Sequence, residues 1–481
     1  MKFVIKLFPE IIVKSRPVRK QFISQLRKNL KKILSVIVES PEISGSWDII
    51  EINIDDSQNH LEQLVIDRLK NTPGIDFILK VKAHEYETID DIANIVIKEF
   101  AEKVKNKTFC VRVKRSGKHQ FNSISVEQQV GGALFHNSDN AGVQLKKPQV
   151  TVQLEIRGEV LLTVVERIPG LGGFPMGQQE SCVSLISGGF DSSVASYLMM
   201  KRGIRTHFCF FNLGGIAHEV GVKQVSHYLW EKYSSSHRIL FITIPFEDVV
   251  AEILTKVDHT QMGVILKRMM LRVAGKIADE FNAPALVTGE AVGQVSSQTL
   301  TNLSVIDSVS NHLIMRPLIV MDKPEIIDIS RQIGTEEFAA VMPEYCGVIS
   351  NKPTTRAKIL KIESEEKRFD FDILDNAFDN RKVENIDEIY TSSNNIDDIE
   401  VVSLPTTEDV ILDIRHPHEL ALKPLKLTAN KVISIPFFKL QSSTSINKQT
   451  NYLLYCDKGI MSQLQAEELA SKGYKVKVYQ P

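Results

Sequence analysis

Ser187-Gly188-Gly189-Phe190-Asp191-Ser192-Ser193 follows the apolar run Val183-Ser184-Leu185-Ile186 and precedes Val194-Ala195-Ser196-Tyr197-Leu198-Met199-Met200. The first run reads as a buried strand and the last as a helix, with Gly203 as its C-cap. A strand, a glycine turn and a helix start make an anion site. The glycines let the backbone approach a phosphate, and the free N–H groups and helix dipole favour negative charge. The pattern G-x-x-x-x-G-K-[ST] is absent, and no lysine in this loop is placed to grip a terminal phosphate. The order strand, turn, helix fits an α/β domain.

Outward from this loop, the chain of 481 residues is long enough for two to four domains, and its 43% apolar content supports ordinary cores. The formal net charge of −1 hides an uneven distribution. Residues 1–35 hold ten Lys and Arg against Glu10 alone, and residues 101–126 hold seven against Glu102 alone. Residues 363–400 reverse the balance, with thirteen acids and four bases. The N-terminal third can therefore attract a polyanion, although solvated helix faces explain either basic stretch equally well. No apolar run reaches about 18 residues, so no membrane span is expected. The charge-interrupted start, Met1 to Pro9, is no signal peptide. Cys110, Cys182, Cys209, Cys346 and Cys456 are scattered and form neither a disulfide framework nor a zinc site. A cytoplasmic protein is expected.

The periodicities predict a multidomain α/β chain. Residues 1–60 read as a strand (2–7), a basic helix (18–34) and an alternating strand (49–54), an α+β unit. Residues 61–165 read as helices near 61–70, 89–104 and 126–134 with strands at 77–81, 109–113, 150–156 and 160–167. The stretch 166–177, rich in Pro and Gly, reads as a linker into a domain spanning 178–390. A second polar linker is expected at 391–402, before a last α/β unit at 403–481.

The loop Ser187 to Ser193 resembles the SGGxDS loop of PP-loop ATP pyrophosphatases, which cleave ATP between the α and β phosphates and adenylate an oxygen. Val113-Lys114-Arg115-Ser116-Gly117-Lys118-His119-Gln120-Phe121 resembles the central motif of THUMP domains, which bind the acceptor end of RNA. Lys114, Arg115 and Lys118 suit phosphate oxygens, and His119 or Phe121 suits a base face. A basic turn beside a core Phe fits the same residues. The stretch Thr288 through Leu303 is similar to the TGEAxGQVxSQTLxNL segment of the tRNA 4-thiouridine synthetase family, which also serves thiamine synthesis. At this point the resemblance spans essentially the whole chain. It implies an N-terminal ferredoxin-like α+β unit, a THUMP domain, a PP-loop domain with a doubly wound parallel sheet, and a rhodanese-like α/β C-terminal unit. It further implies that Leu185, Ile186, Ser187, Gly188, Gly189, Asp191, Ser192, Ser193, Lys267, Gly289, Gln298 and Lys323 bind ATP. Asp191, at a helix start, is suited to Mg2+ or its waters.

Cys456-Asp457-Lys458-Gly459-Ile460-Met461-Ser462 follows the apolar strand Tyr452 to Tyr455. A cysteine at a strand end before a glycine loop and a helix sits where N–H groups converge and favour the thiolate. The segment resembles the rhodanese loop CxxGxR, with Met461 in the place of Arg, and implies that Cys456 carries a persulfide. Cys346, in Met342-Pro343-Glu344-Tyr345-Cys346-Gly347-Val348, matches the family cysteine that resolves the persulfide by a disulfide with Cys456. An incidental loop cysteine would look the same. Cys110, Cys182 and Cys209 lie in apolar strands and read as core.

The resemblance implies a tRNA sulfurtransferase that adenylates C4 of uridine eight. A cysteine desulfurase would be its persulfide donor, and a sulfur-carrier protein of thiamine synthesis a second acceptor. Closure of two domains over bound RNA would bring Cys346 to Cys456, with the acidic stretch 363–400 as the hinge. The oligomeric state stays open, a homodimer included. Two other readings remain: a PP-loop synthetase that adenylates a small carboxylate, and a non-catalytic tRNA-binding protein. The first lacks a visible ammonia source, and the intact Asp191 and paired loop cysteines disfavour the second.

Overall fold

The computed structural model describes all residues except 46–48, 214, 341, 343–351, 390–398, 416, 426–429, 441–442, 457–461, 463–464, 467–468 and 471. The chain divides into two compact units, Met1–Pro175 and Met176–Pro481.

The first unit is built on one eight-stranded sheet. Lys2–Leu7 lies between Ile49–Asn53 and Ile75–Glu85, antiparallel to both. The sheet continues through Val160–Gly172 and Val150–Arg157 to Thr108–Ser116. Two helix layers give two cores. The basic helix Arg16–Leu34 and the helix Glu62–Lys70 cover Phe3, Ile5, Ile50 and Ile75 with Leu26, Leu30, Val65 and Leu69. Helices Ile89–Phe100 and Ser123–His136 cover Phe109, Val111 and Val152 with Val96, Val126 and Val130. Local chemistry starts these last two helices. Thr88 and Asp91 form a reciprocal capping box, and the Asn122 side chain accepts the Ser125 N–H.

Two expected boundaries move. The division at 60 falls inside a single core, because Val65, Leu69, Ile75 and Ile78 pack with Ile5 and Leu26. The expected linker 166–177 is strand as far as Gly172, which pairs with Ile75. Pro169 sits opposite Phe77 beside a register shift, where a strand tolerates the missing N–H. Gly170 is required there, since a Cβ would lie 2.4 Å from the Ile75 carbonyl oxygen.

The second unit holds two sheets. Five strands of the six-stranded sheet are parallel, in the order Leu313–Met315, Ala285–Val287, Ser181–Leu185, Arg205–Asn212, Leu240–Pro245. Lys382–Asn385 closes the edge antiparallel to Leu240–Pro245. From Ser181–Leu185 the chain builds outward on one side and later returns to its other side with Ala285–Val287. Such a switch of strand order opens a crevice at the C-terminal strand ends. The acidic stretch after 363 is no free hinge as far as residue 389. It is folded there: Ile362, Phe369, Leu374 and Ala377 are part of the sheet's core. Arg268, 2% exposed, anchors this segment through Nε to Glu366 at 2.7 Å.

The five-stranded sheet is parallel throughout, in the order Val401–Val402, Lys475–Tyr479, Asn451–Tyr455, Val410–Asp413, Val432–Ser434. Its core includes Leu412, Ile435, Phe437, Tyr452 and Leu454, and it takes in Val225 and Phe338 of the larger sheet's helices.

Candidate nucleotide and sulfur sites

A cavity of about 400 Å³ lies at the switch of strand order. That size fits a small-molecule site. Every residue of the expected nucleotide set lines it except Gly188 and Ser193. Gly188 makes the turn instead, at φ +81°, and a Cβ there would meet the Met342 methyl group at 2.6 Å. Ser193 is fully buried behind the first turn of the helix Phe190–Lys201. No side chain caps that helix, so its first N–H groups are left for a ligand. The Ser192 hydroxyl accepts the Ser187 N–H and meets the Ser187 hydroxyl, both at 3.1 Å, which sets the loop. Gly289 packs on the same turn, where a Cβ would lie 2.6 Å from the Ser192 nitrogen.

The charges in the cavity are paired. Lys323 reaches Asp191 Oδ1 at 2.7 Å, and Gln294 donates to Asp191 Oδ2 at 2.8 Å. Lys267 reaches Glu290 Oε1 at 2.5 Å. Glu290 also accepts from Arg316 at 2.8 Å and from Thr288 at 3.0 Å, and Arg316 holds Asp307 in turn. Burial pushes the Glu290 carboxyl up, but Lys267 and Arg316 outweigh it and hold the group below its ordinary value. His218 Nε2 lies 3.2 Å from the Ser187 carbonyl oxygen, and burial lowers its basicity. The Gln298 Oε1 atom is buried without a hydrogen-bond partner among the described residues, on the cavity wall. It is an acceptor ready for a donor such as an amino group.

Glu290 and Gln294 fall inside the stretch Thr288 through Leu303 that the sequence singles out, but their ion-pair and hydrogen-bond partners become visible only in three dimensions. Sequence reading missed the rest of this wall. Phe211, Leu213, Thr260, Met270 and Thr354 converge from distant segments and carry no local signal.

In the first unit, Lys114, Arg115 and Lys118 are exposed at the end of Thr108–Ser116 and in the turn after it. Gly117, at φ +103°, makes that turn. His119 is half-buried and tied down. Its Nε2 lies 2.9 Å from the Gly158 carbonyl oxygen, and its Nδ1 lies 3.1 Å from the Arg115 guanidinium. Phe121 packs at 5.1 Å from the His119 ring and 6.5 Å from Tyr86. His119 and Phe121 thus pack against each other with one tilted ring contact, and the three cations stay at the surface.

Cys456 follows Asn451–Tyr455 and is partly exposed. The Ser462 N–H donates to its sulfur at 3.3 Å, so the chain turns a backbone donor onto the thiol. The neighbouring strand end is braced by a buried pair: Arg415 binds Asp413 at 2.6 Å and lies 4.9 Å over the Tyr455 ring. Cys346 and Met461 lie outside the described residues, so the expected pairing of Cys346 with Cys456 does too. Cys110, Cys182 and Cys209 are buried, and burial pushes the Cys182 thiol up to about 12. Among the described residues no helix is long and apolar enough to cross a membrane, and no group of three or more His, Cys, Asp and Glu gathers as a metal site.

Three family models match the chain. The model described as thiamine biosynthesis protein (ThiI) covers residues 177–371, the THUMP domain 86–165 and the ThiI ferredoxin-like domain 2–78. The tRNA sulfurtransferase of Shewanella pealeana is 51% identical over 484 residues, covering 100% of both chains. That of Shewanella amazonensis is 50% identical with the same coverage. A 4-thiouridine synthetase solved in complex with RNA and bound ATP is 28% identical, with a TM-score of 0.71 over 80% of this chain and 99% of its own. PH1313 from Pyrococcus horikoshii Ot3 shares the fold at a TM-score of 0.54, 18% identity, and coverage of 69% of this chain and 100% of its own.

Proposed function

The chain belongs to the tRNA sulfurtransferase family, and from that premise we propose that it is an ATP-dependent enzyme that replaces the C4 oxygen of a tRNA uridine, at position eight, with sulfur. The observation that carries this reading is the cavity at the strand switch. There the glycine loop, Lys267, Gln298, Lys323 and Asp191 meet around one nucleotide-sized space.

The uridine O4 attacks the α phosphate of ATP, and pyrophosphate leaves. The helix start at Phe190 and the cations Lys267 and Lys323 are suited to the phosphates, on condition that Lys323 exchanges Asp191 for phosphate oxygen. Mg2+ is commonly held by one or two carboxylates together with substrate phosphates. Asp191 supplies one such carboxylate, and its side chain is 22% exposed. Cys456 receives sulfane sulfur from a cysteine desulfurase. The terminal sulfur of the persulfide attacks C4, and AMP leaves with the former O4. The Cys346 thiolate attacks Cys456 Sγ, the S–S bond to the transferred sulfur breaks, and a Cys346–Cys456 disulfide forms. A dithiol reductant then restores both thiols. Transfer from Cys456 to a sulfur-carrier protein for the thiazole of thiamine would need only the C-terminal unit.

The domain division we adopt is a ferredoxin-like unit, a THUMP domain, a PP-loop domain ending near 390 and a rhodanese-like unit after 403. The shared core supports ending the first of these near residue 78, where its family model ends, rather than at 60. Lys114, Arg115 and Lys118 would hold RNA phosphates.

The test is reconstitution with tRNA, ATP, cysteine, a cysteine desulfurase and a dithiol. Mass analysis of the tRNA nucleosides should show 4-thiouridine, with AMP formed in step. AMP formation on a small carboxylate without tRNA, or no AMP at all, would overturn the reading.

A further inference from the structure

We infer that Asn302 is a positioning residue for the nucleotide: its buried amide fastens two separate segments of the cavity wall to each other. The inference rests on the cavity being the ATP site. Asn302 is fully buried in the first turn of the helix Leu300–Asp307. Its Nδ2 donates to the Ser296 carbonyl at 2.8 Å and to the Thr354 carbonyl at 2.8 Å. Its Oδ1 accepts the Ala357 N–H at 2.8 Å. Ser296 and Thr354 both line the cavity, and Gln298 with its unpartnered Oε1 lies two residues beyond Ser296. Two donors and one acceptor on a single planar group match these three partners, and among the side chains only a carboxamide carries that set.

The second segment, residues 353–357, is held at further points. The Thr354 N–H donates to the Thr260 carbonyl at 2.9 Å, and Thr260 lines the cavity beside the helix that bears Lys267. Thr299 caps the Asn302 helix by accepting the Asn302 N–H, and its hydroxyl donates to the Thr355 carbonyl at 2.8 Å. Residues 353–357 therefore bridge the Gln298 wall and the Lys267 wall, and Asn302 is where three of the bonds meet. Without the amide, two half-buried carbonyls and the buried Ala357 N–H lose their partner together. The walls would then part, and the groups that face the nucleotide from Ser296 to Gln298 and from Thr260 would lose the spacing that binds it.

The test compares wild type with Asn302→Asp and Asn302→Ser. Aspartate keeps the shape and the acceptor for Ala357 but faces two carbonyls with oxygen. Serine removes the amide without adding charge, and it serves if the aspartate variant fails to fold. Direct ATP binding should weaken about tenfold in either variant, with a matching rise in KM for ATP, since polar groups of the wall left without partners cost about that much. Hydrogen exchange at the Ala357 amide should quicken. Affinity for tRNA and acceptance of one sulfur at Cys456 should stay at wild-type values, because neither uses these walls. A merely structural role would lower the folded fraction, and with it kcat, while leaving KM for ATP unchanged; that outcome overturns the inference. If wild type itself fails to bind ATP, the nucleotide reading falls instead.

Discussion

The nucleotide cavity and the Cys456 loop both sit at the C-terminal ends of parallel strands, yet they handle charge in opposite ways. In the cavity each lysine is already paired: Lys323 with Asp191 and Lys267 with Glu290. A polyphosphate must take these cations from their carboxylates, so binding there is an exchange of ion pairs rather than a fresh desolvation. At Cys456, among the described residues, a backbone N–H is one contact to the sulfur, and Asp413 and Arg415 at the neighbouring strand end neutralise each other in full burial. On the proposed function, that arrangement would suit a group which accepts and hands on sulfane sulfur, so one region would take a charged ligand that comes and goes and the other a covalent passenger. Substitutions in the two should therefore fail at different steps.

The largest effects test that separation. Asp191→Ala should abolish thiolation and AMP formation, while Cys456 still gains one sulfur mass from a desulfurase and cysteine. Cys456→Ala should abolish thiolation and sulfur gain, while tRNA-dependent adenylation, with release of pyrophosphate, survives. Both are read by mass analysis of the protein and by pyrophosphate release. If either variant loses both half-reactions while remaining folded, the two regions do not act separately and the comparison breaks. Cys346→Ala should accept sulfur normally yet lose most multiple turnover. A normally active Cys346→Ala enzyme would leave that cysteine without a role.

Lys323→Ala should come next. It removes one cation from the phosphates and leaves Asp191 with Gln294 alone of the two partners described above, and removing one such transition-state interaction costs about a hundredfold in kcat. Sulfur acceptance at Cys456 should not move. A variant with unaltered kcat would mean that Lys323 only neutralises Asp191.

These tests rest on residues of unequal legibility. The loop from Ser187 to Ser193 is readable because its chemistry is local: glycine dihedrals, a strand before and a helix after. Cys456 is readable for the same reason, as a strand-end thiol before a glycine. The wall built from Phe211, Thr260 and Thr354 is not, since those residues meet only after the sheet has folded. Pro169 to Gly172 looks like a linker because Pro and Gly commonly break strands, whereas here they sit at an irregular register beside Ile75. The acidic stretch from 363 looks like a hinge because its charge dominates its composition. The apolar residues in and beside it, Ile362, Phe369 and Leu374, are buried in the core of the larger sheet. His119 and Phe121 stand beside a basic turn as the sequence suggests, and the contact between their rings becomes visible only in the fold.

A smaller effect is expected there. Changing Lys114, Arg115 and Lys118 together to Ala should weaken tRNA binding about tenfold and make its salt slope shallower by up to about three units, one for each phosphate no longer neutralised. Titration of binding at several salt concentrations measures both. Sulfur acceptance and ATP affinity should be untouched. An unchanged slope would place the RNA contact elsewhere.

The smallest effect concerns acid, and it separates the two sheets without touching a reacting group. His207 lies in the strand Arg205–Asn212, 8% exposed, and its Nδ1 accepts the Leu240 N–H at 3.0 Å. Burial first, and then Arg205, lowers its pKa from 6.5 to about 4, so the folded chain refuses a proton that the unfolded chain accepts. The stabilisation is complete above pH 6.5 and is lost as pH falls towards 4, about 2 kcal/mol of it between pH 7 and pH 5. Glu290 acts with the same sign but only below its unfolded value of 4.5, so the two windows can be told apart. Urea unfolding at pH 7 and pH 5 should show the loss in wild type and a smaller one in His207→Asn, whose amide oxygen can still accept the Leu240 N–H. Amides of Arg205–Asn212 and Leu240–Pro245 should lose protection from hydrogen exchange before those of Asn451–Tyr455. The nucleotide sheet would then loosen in acid while the sulfur-carrying sheet holds. Equal loss of protection in both would mean that Val225 and Phe338, which join the smaller sheet's core to helices of the larger one, bind the pair into a single cooperative body.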